Sequence, residues 1–186
     1  MPKISNIQAG HKFIRTLQDA SRHARRGQWT TCLRLCQQVL NDDQGVYFAN
    51  YLAGIASIKL GAQDNAISYL LLSIEVEEHD TNKLSILCNL LLEVGRHAEA
   101  IPHLKRWADV EPTPDALNRL GAIYADAGHI GEAISYFRQS IKILPKGNVA
   151  SAGLYPLLRV TCEWGTELTQ LSKDIDLLNE VALSKG

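Results

Sequence analysis

The sequence predicts an all-α fold, a right-handed solenoid made of repeated pairs of helices. The main observation is that four glycines recur at separations of 34, 34 and 33 residues, at Gly27, Gly61, Gly95 and Gly128. A small residue follows each glycine by five positions: Cys32, Ala66, Ala100 and Ala133. A constant period of this length is typical of solenoids, whose units bury their apolar faces only against neighbouring units.

The clearest unit runs from Leu117 to Pro145 and reads "LNRLGAIYADAGHIGEAISYFRQSIKILP". Its first half forms one helical stripe of Leu117, Leu120, Gly121 and Tyr124. Gly121 has no side chain, so we expect a second helix to come close there. Gly128 is expected to end the first helix with a left-handed backbone angle. The second half forms the facing stripe of Ala133, Phe137, Ser140 and Leu144, and Pro145 is expected to end it.

This pattern of residues resembles the tetratricopeptide repeat family. The resemblance extends over four units: Phe13–Val46, Tyr47–Asp80, Thr81–Thr113 and Pro114–Gly147. The first unit departs most, since Asp19 stands where the fourth unit has Leu120. In the third unit, Pro102 lies about one turn into the second helix and is expected to bend that helix slightly.

Residues 148–186 are expected to form a partial fifth repeat and a capping helix. Leu154 and Leu158 stand 34 residues after Leu120 and Tyr124. An amphipathic helix is predicted over Thr166–Ser184, and we expect Trp164 to be buried between it and the last repeat. Cys162-Glu163-Trp164 followed by such a helix resembles the junction between repeats and catalytic half in O-linked N-acetylglucosamine transferase-like glycosyltransferases.

Composition and cysteine content indicate an ordinary cytoplasmic protein. The chain of 186 residues is 46% apolar and 21% charged, with a net charge of −1. No apolar run approaches the ~20 residues of a membrane-spanning helix, and the N-terminus lacks the apolar stretch of a secretory signal. Four cysteines without such a signal favour reduced thiols.

The first 26 residues are strongly basic, with six Lys and Arg residues against Asp19 alone. Such a segment can contact nucleic acid. A solvated helix face explains the charge better, because no interleaved aromatic residues accompany it. A nucleic-acid partner is therefore not expected.

No metal, cofactor or catalytic site is predicted. Cys32 and Cys36 lie four residues apart on one helix and could bind a metal, but they occupy the core positions of Ala133 and Phe137. The sequence also lacks a phosphate-binding loop and the common hydrolase motifs. We therefore expect both cysteines to be buried, reduced and metal-free, and the protein to be no enzyme.

The family resemblance implies a non-catalytic module that binds a peptide or protein segment in a groove lined by the first helices. The implied groove residues are Phe48, Tyr51, Ile55, Lys59, Asn82, Ser85, Asn89, Asp115, Asn118, Arg119 and Ala122. Exposed Phe48, Tyr51 and Ile55 would favour a ligand with apolar anchors. The alternative is that these three side chains only pack against the first repeat.

Three functions remain open from the sequence. The first is an independent adaptor, and the second is the substrate-recognition region of a glycosyltransferase whose catalytic domain lies outside this chain. The third, which the sequence favours least, is a nucleic-acid contact through the basic first helix. The identity of the partner and the oligomeric state are not encoded in any motif.

Overall fold

The computed structural model describes residues 4–43, 46–75, 80–144, 152–154 and 157, with side chains from residue 13 onward. Regular structure in this part of the chain is helical, and it contains no strand. The eight helices are α1 (Ile4–Arg25), α2 (Trp29–Asp42), α3 (Tyr47–Lys59), α4 (Gln63–Ile74), α5 (Thr81–Glu93), α6 (His97–Val110), α7 (Pro114–Asp126) and α8 (Ile130–Ile143). The prediction of an all-α fold is confirmed. No helix among the described residues has both the length and the apolar character that a bilayer crossing requires.

The chain divides into two compact units, residues 1–96 and 97–186, called here the N-terminal unit and the C-terminal unit. Within each unit every helix packs against the next one along the chain, and α1 also contacts α3. Helices α3, α5 and α7 begin at Tyr47, Thr81 and Pro114, where the sequence analysis starts its second, third and fourth repeats. The division of the chain into four repeats and a partial fifth remains a prediction.

Left-handed glycines end the first helix of each pair. Gly27, Gly61, Gly95 and Gly128 have φ angles of 72°, 77°, 75° and 78°. After α7, the amide of Gly128 donates to the carbonyl of Ala125 at 3.0 Å, and that of His129 donates to Tyr124 at 2.8 Å. This pair of hydrogen bonds satisfies carbonyls at the end of the helix and requires a positive φ at the glycine. The role predicted for Gly128 is confirmed.

The core of the N-terminal unit begins between α1 and α2. Ala20, Cys32 and Cys36 are fully buried there, and Phe13 and Leu17 pack against them from α1. Further along the unit the core consists of larger side chains: Ile67, Leu70, Leu84, Leu87 and Leu91. The predicted burial of both cysteines is confirmed.

The core of the C-terminal unit centres on Phe137, which is 4% exposed. A Cβ atom on Gly121 would lie only 2.7 Å from Cε1 of the Phe137 ring. The absence of a side chain at Gly121 therefore lets α7 approach α8, as the sequence predicts. Leu144 lies outside α8 and is 46% exposed, so its assignment to the buried stripe is wrong. The stripe ends one turn earlier, because Ile141 takes the last buried position.

Two further sequence predictions concern Pro102 and Leu154. Pro102 lies inside α6, which continues through it to Val110. Leu154 is fully buried and packs in the same cluster as Phe137. Pro145, Leu158, Cys162, Trp164 and the helix expected over Thr166–Ser184 lie outside the described residues.

Candidate functional site

A pocket of about 510 Å³ lies between α1 and α3 of the N-terminal unit. It is called here the α1/α3 groove, and its lining residues are Ile14, Leu17, Gln18, Ser21, Arg22, Arg25 and Phe48. Ile14 is 55% exposed and Phe48 is 41% exposed, so two large apolar side chains face solvent in one groove. Apolar side chains that converge on a concave surface are typical of binding sites for other molecules.

Helical spacing explains why these residues share one face. Residues 14, 17, 18, 21, 22 and 25 of α1 stand at positions i, i+3, i+4, i+7, i+8 and i+11 and form a continuous stripe. The adjoining face of α1 carries Phe13 and Ala20, which pack into the core, and Leu17 belongs to both faces. Ile14 and Phe48 are not part of this core cluster, so substitutions at these two exposed residues need not disturb it.

The groove residues predicted from the sequence include none of α1, although the repeat period contains the signal. Four residues of the α1 stripe stand 34 positions before four predicted groove residues of α3. The pairs are Ile14 with Phe48, Leu17 with Tyr51, Ser21 with Ile55, and Arg25 with Lys59. The prediction of a solvated face for the basic helix is incomplete, because one face of α1 lines a groove.

The predicted groove residues of α3 differ in exposure. Phe48 and Lys59 are exposed, whereas Tyr51 and Ile55 are half-buried. Phe48 lies beside α1 in the groove and yet keeps 41% of its surface open. The alternative that this side chain only packs against the first repeat is therefore incomplete, because a large part of its ring stays available for contact.

A buried lysine holds α5 against the aromatic residues of α3. Lys83 is 5% exposed, and its Nζ lies 5.1 Å from the ring centroid of Tyr47 and 5.6 Å from that of Tyr51. The same nitrogen lies 3.5 Å from a carboxylate oxygen of Asp80. A cation over an aromatic face is attracted by the negative face of the ring. Lys83 thus links α5 to Tyr47 and Tyr51 of α3. The groove residues predicted from the sequence include its neighbour Asn82 but not Lys83.

The predicted groove residues of α5 are polar. Asn82 is exposed, while Ser85 and Asn89 are half-buried. Ser85 Oγ donates to the carbonyl of Asn82 at 2.8 Å. The side-chain oxygen of Asn89 is buried and accepts no hydrogen bond from the described residues. The unpaired oxygen of Asn89 is thus enclosed by the protein and is not open to a ligand.

The C-terminal unit contains the other four predicted groove residues, all on α7. Arg119 Nε donates to Asp115 Oδ1 at 3.1 Å, so their charges are paired within the helix. Asn118 is half-buried and Ala122 is exposed. These residues form a small polar face without a large apolar side chain. A single groove shared by α3, α5 and α7 stays a prediction.

Charge in the α1/α3 groove is concentrated near the C-terminal end of α1. Arg22 pairs with Asp19 at 3.0 Å, one turn earlier on the same helix. No ion pair to Arg25 or Lys59 occurs among the described residues. Both are exposed and end the matching helices α1 and α3. The groove therefore combines an apolar part with a positively charged end.

The two cysteines of α2 serve the core. Both are fully buried and reduced, and burial raises the pKa of each thiol above its ordinary value. A raised pKa keeps a thiol protonated and unreactive. Within the described ranges no group of His, Cys, Asp and Glu residues has the arrangement of a metal site.

A second cluster of aromatic and basic side chains joins α6, α7 and α8 of the C-terminal unit. The rings of Tyr124 and Tyr136 stack with centroids 5.5 Å apart, and Lys105 Nζ lies 5.6 Å from the centroid of Tyr124. A hydrogen bond to Tyr124 raises the pKa of Lys105. Because each member contacts another member, this cluster links α6, α7 and α8.

Comparisons with known proteins connect this geometry with a repeat fold. Residues 114–146 match the sequence profile of the tetratricopeptide repeat. A search of curated protein sequences gives no match. The solved structures, in contrast, contain many chains of similar fold.

Three of these structures illustrate the likeness. MamA (AMB-1) has a TM-score of 0.72 and 20% sequence identity, over 93% of each chain. A second MamA structure has a TM-score of 0.73 and 18% identity, over 95% of this chain and 94% of the other. YrrB, described as a TPR protein with an unusual peptide-binding site, has a TM-score of 0.69 and 18% identity, over 87% of this chain and 84% of its own. The chain therefore has the fold of a tetratricopeptide repeat protein.

Proposed function

We propose that this chain is a non-catalytic module that binds a peptide or protein segment, and that the α1/α3 groove is its main contact surface. The observation that carries the proposal is the pair Ile14 and Phe48, two large apolar side chains that stay 55% and 41% exposed in one concave pocket. Solenoids present such concave surfaces to their partners.

The energetic argument rests on the area that a ligand would remove from water. Full burial of an Ile or Phe side chain contributes about 1.5–3 kcal/mol, so covering the exposed parts of Ile14 and Phe48 contributes roughly 1 kcal/mol each. Binding energy in protein interfaces concentrates on such central apolar anchors. The neighbouring Tyr51, whose ring centroid lies 5.6 Å from Lys83 Nζ, adds aromatic surface on α3.

The polar residues of the remaining first helices are proposed as flanking contacts. The exposed Asn82 and the half-buried Ser85 and Asn89 lie together on α5. Asp115, Asn118, Arg119 and Ala122 would serve a ligand that also reaches α7. The likeness to YrrB supports the class of function, since that protein is described as having a peptide-binding site.

The experiment selects peptides from a displayed library of random 12-residue sequences on the purified chain. Binding of the enriched peptides is then measured on Phe48→Asp and on a matched control, Leu72→Asp. Leu72 is 40% exposed, close to the value for Phe48, but it lies on the second helix α4. We expect Phe48→Asp to reduce affinity at least tenfold and Leu72→Asp to leave it within twofold. Equal binding to wild type and Phe48→Asp would contradict the proposal.

The glycosyltransferase hypothesis is the second candidate function, and it concerns other residues. It depends on Cys162-Glu163-Trp164 and the helix that follows them, which the structure does not describe. A gene whose reading frame continues past Gly186 into a glycosyltransferase domain would support it. A reading frame that encodes no such domain would leave the adaptor function alone.

A further inference from the structure

We infer that the segment bound in the α1/α3 groove is acidic, with Asp or Glu side chains next to one bulky apolar side chain. This inference rests on the proposed function and specifies the chemistry of the partner. Ile14 and Phe48 form the apolar part of the groove, and Arg25 lines the same pocket near the end of α1. Ile14 and Arg25 are eleven residues apart, which corresponds to about 16 Å along a helix. A short peptide can therefore contact both.

Basic residues at the ends of α1 and α3 require an explanation other than the helix dipole. The C-terminal end of a helix carries partial negative charge, which Lys and Arg stabilise there. If this effect alone determined the residues, every first helix of a pair would end with a basic residue. The second helix α8 has Lys142 in its last turn, but the first helices α5 and α7 have no basic residue in their last turns. Among the first helices, basic last turns therefore belong to α1 and α3, the two that meet at the groove.

The equivalent positions of the later first helices strengthen this point. Arg25 and Lys59 correspond by the repeat period to Glu93 on α5 and Asp126 on α7. The residue at this position therefore changes from basic on the helices with an apolar groove to acidic on the others. Charge complementarity then favours a ligand whose carboxylates lie near Arg25 and Lys59.

The charges of Arg25 and Lys59 can pair with carboxylates of a ligand. Arg22 is partly neutralised by Asp19, at 3.0 Å. Arg25 and Lys59 are exposed, and the described residues provide no carboxylate within ion-pair distance of either. A ligand carboxylate would form ion pairs without breaking an existing one. Because the site is exposed, its attraction should be screened by salt.

The test is a charge-swap selection with the same library of random 12-residue peptides, displayed without a free C-terminus so that only side chains supply carboxylates. One selection uses the wild-type chain and the other uses Arg25→Glu combined with Lys59→Glu. We expect wild type to enrich Asp and Glu beside an aromatic or large aliphatic residue. The doubly reversed variant should enrich Lys and Arg in their place.

The most enriched wild-type peptide is then synthesised with an amidated C-terminus and titrated by fluorescence anisotropy. We expect at least a tenfold loss of affinity on the doubly reversed variant and a clear loss between 50 and 500 mM NaCl. The matched control is Arg34→Glu combined with Lys142→Glu, which changes the net charge equally on exposed positions of α2 and α8. This control should change affinity less than twofold.

The remaining outcomes separate the two proposals. Neutral or basic peptides that lose binding on Phe48→Asp but not on charge reversal would overturn the acidic ligand and keep the groove. Peptides insensitive to Phe48→Asp, or no enriched peptide at all, would overturn both. If no acidic bias appears and a mixed-sequence 20-nucleotide single-stranded DNA binds through Arg25 and Lys59, the basic end serves nucleic acid and the inference is wrong.

Discussion

Helix pairs α3–α4 and α7–α8 show the same inner packing in two different units. In the first pair, a Cβ atom on Gly54 would lie 2.9 Å from Cγ of Leu70. In the second pair, a Cβ atom on Gly121 would lie 2.7 Å from the Phe137 ring. Each pair thus places a glycine of its first helix against a large apolar side chain of its second helix. This close approach is common to the two pairs.

The faces of α3 and α7 that carry the predicted groove residues differ. Helix α3 presents Phe48 and Ile55, whereas α7 has Asp115 and Ala122 at the corresponding positions. The charge of Asp115 is already paired with Arg119 of the same helix. The comparison shows that the face packed against the second helix determines the fold, whereas the face with the predicted groove residues varies independently. Binding specificity therefore depends on the face with the predicted groove residues.

The largest loss of stability is expected when the large apolar side chain of a helix pair, Phe137 or Leu70, is replaced by alanine. Phe137→Ala should lower the free energy of unfolding by about 3–5 kcal/mol, and Leu70→Ala by about 2–5 kcal/mol, because each leaves a cavity beside a glycine that cannot fill it. Urea denaturation followed by circular dichroism measures both. Leu144→Ala is the control, because Leu144 is 46% exposed. A loss below about 1 kcal/mol for Phe137→Ala would show that the ring is not central to this packing.

An intermediate effect is expected for the glycine itself. Gly121→Ala should destabilise the protein by about 1–3 kcal/mol, since its methyl group would overlap the Phe137 ring. Gly131 of α8 is a matched control, because a Cβ atom there would have no neighbour within 4 Å. Gly131→Ala should stabilise by up to about 1 kcal/mol through helix propensity.

A double-mutant cycle separates overlap from propensity at Gly121. The smaller, more flexible side chain of Phe137→Leu makes room for a methyl group, so Gly121→Ala should cost less in that background than in wild type. Equal costs in both backgrounds would mean that the glycine is not required for the approach of α7 to α8.

The inner packing was predictable from the sequence, since the period places Gly121 and Phe137 on facing stripes. The face with the groove residues was predictable only in part. Phe48 was predicted as a groove residue, but Ile14 was not. Asp19 departs from the repeat pattern, and the basic charge of α1 indicated a solvated helix face. Lys83 could not have been identified, since burial of a lysine depends on Tyr47 and Tyr51 of another helix. Periodicity reports which face is buried, whereas such contacts between helices depend on the packed structure.

The smallest expected effect is a pH dependence of stability that arises from His103 in the C-terminal unit. His103 of α6 is half-buried, and burial lowers the pKa of its imidazole below 6.5. Arg106 lowers this pKa further, and Glu99 opposes the change. The unfolded chain therefore binds a proton at a higher pH than the folded chain does. It follows that the contribution of His103 to stability is present above pH 6.5 and is lost as the pH falls toward the lowered pKa.

Thermal denaturation of wild type and His103→Gln, each at pH 7.5 and 5.5, measures this contribution. We expect the melting temperature of wild type to fall more than that of the variant over this range, because only wild type carries the group that takes up a proton on unfolding. Arg106→Gln should reduce the pH dependence and Glu99→Gln should increase it, since these side chains act on the pKa in opposite directions. Parallel curves for wild type and His103→Gln would assign the acid sensitivity to other groups. The difference between the two units would then rest only on the faces of α3 and α7 that carry the predicted groove residues.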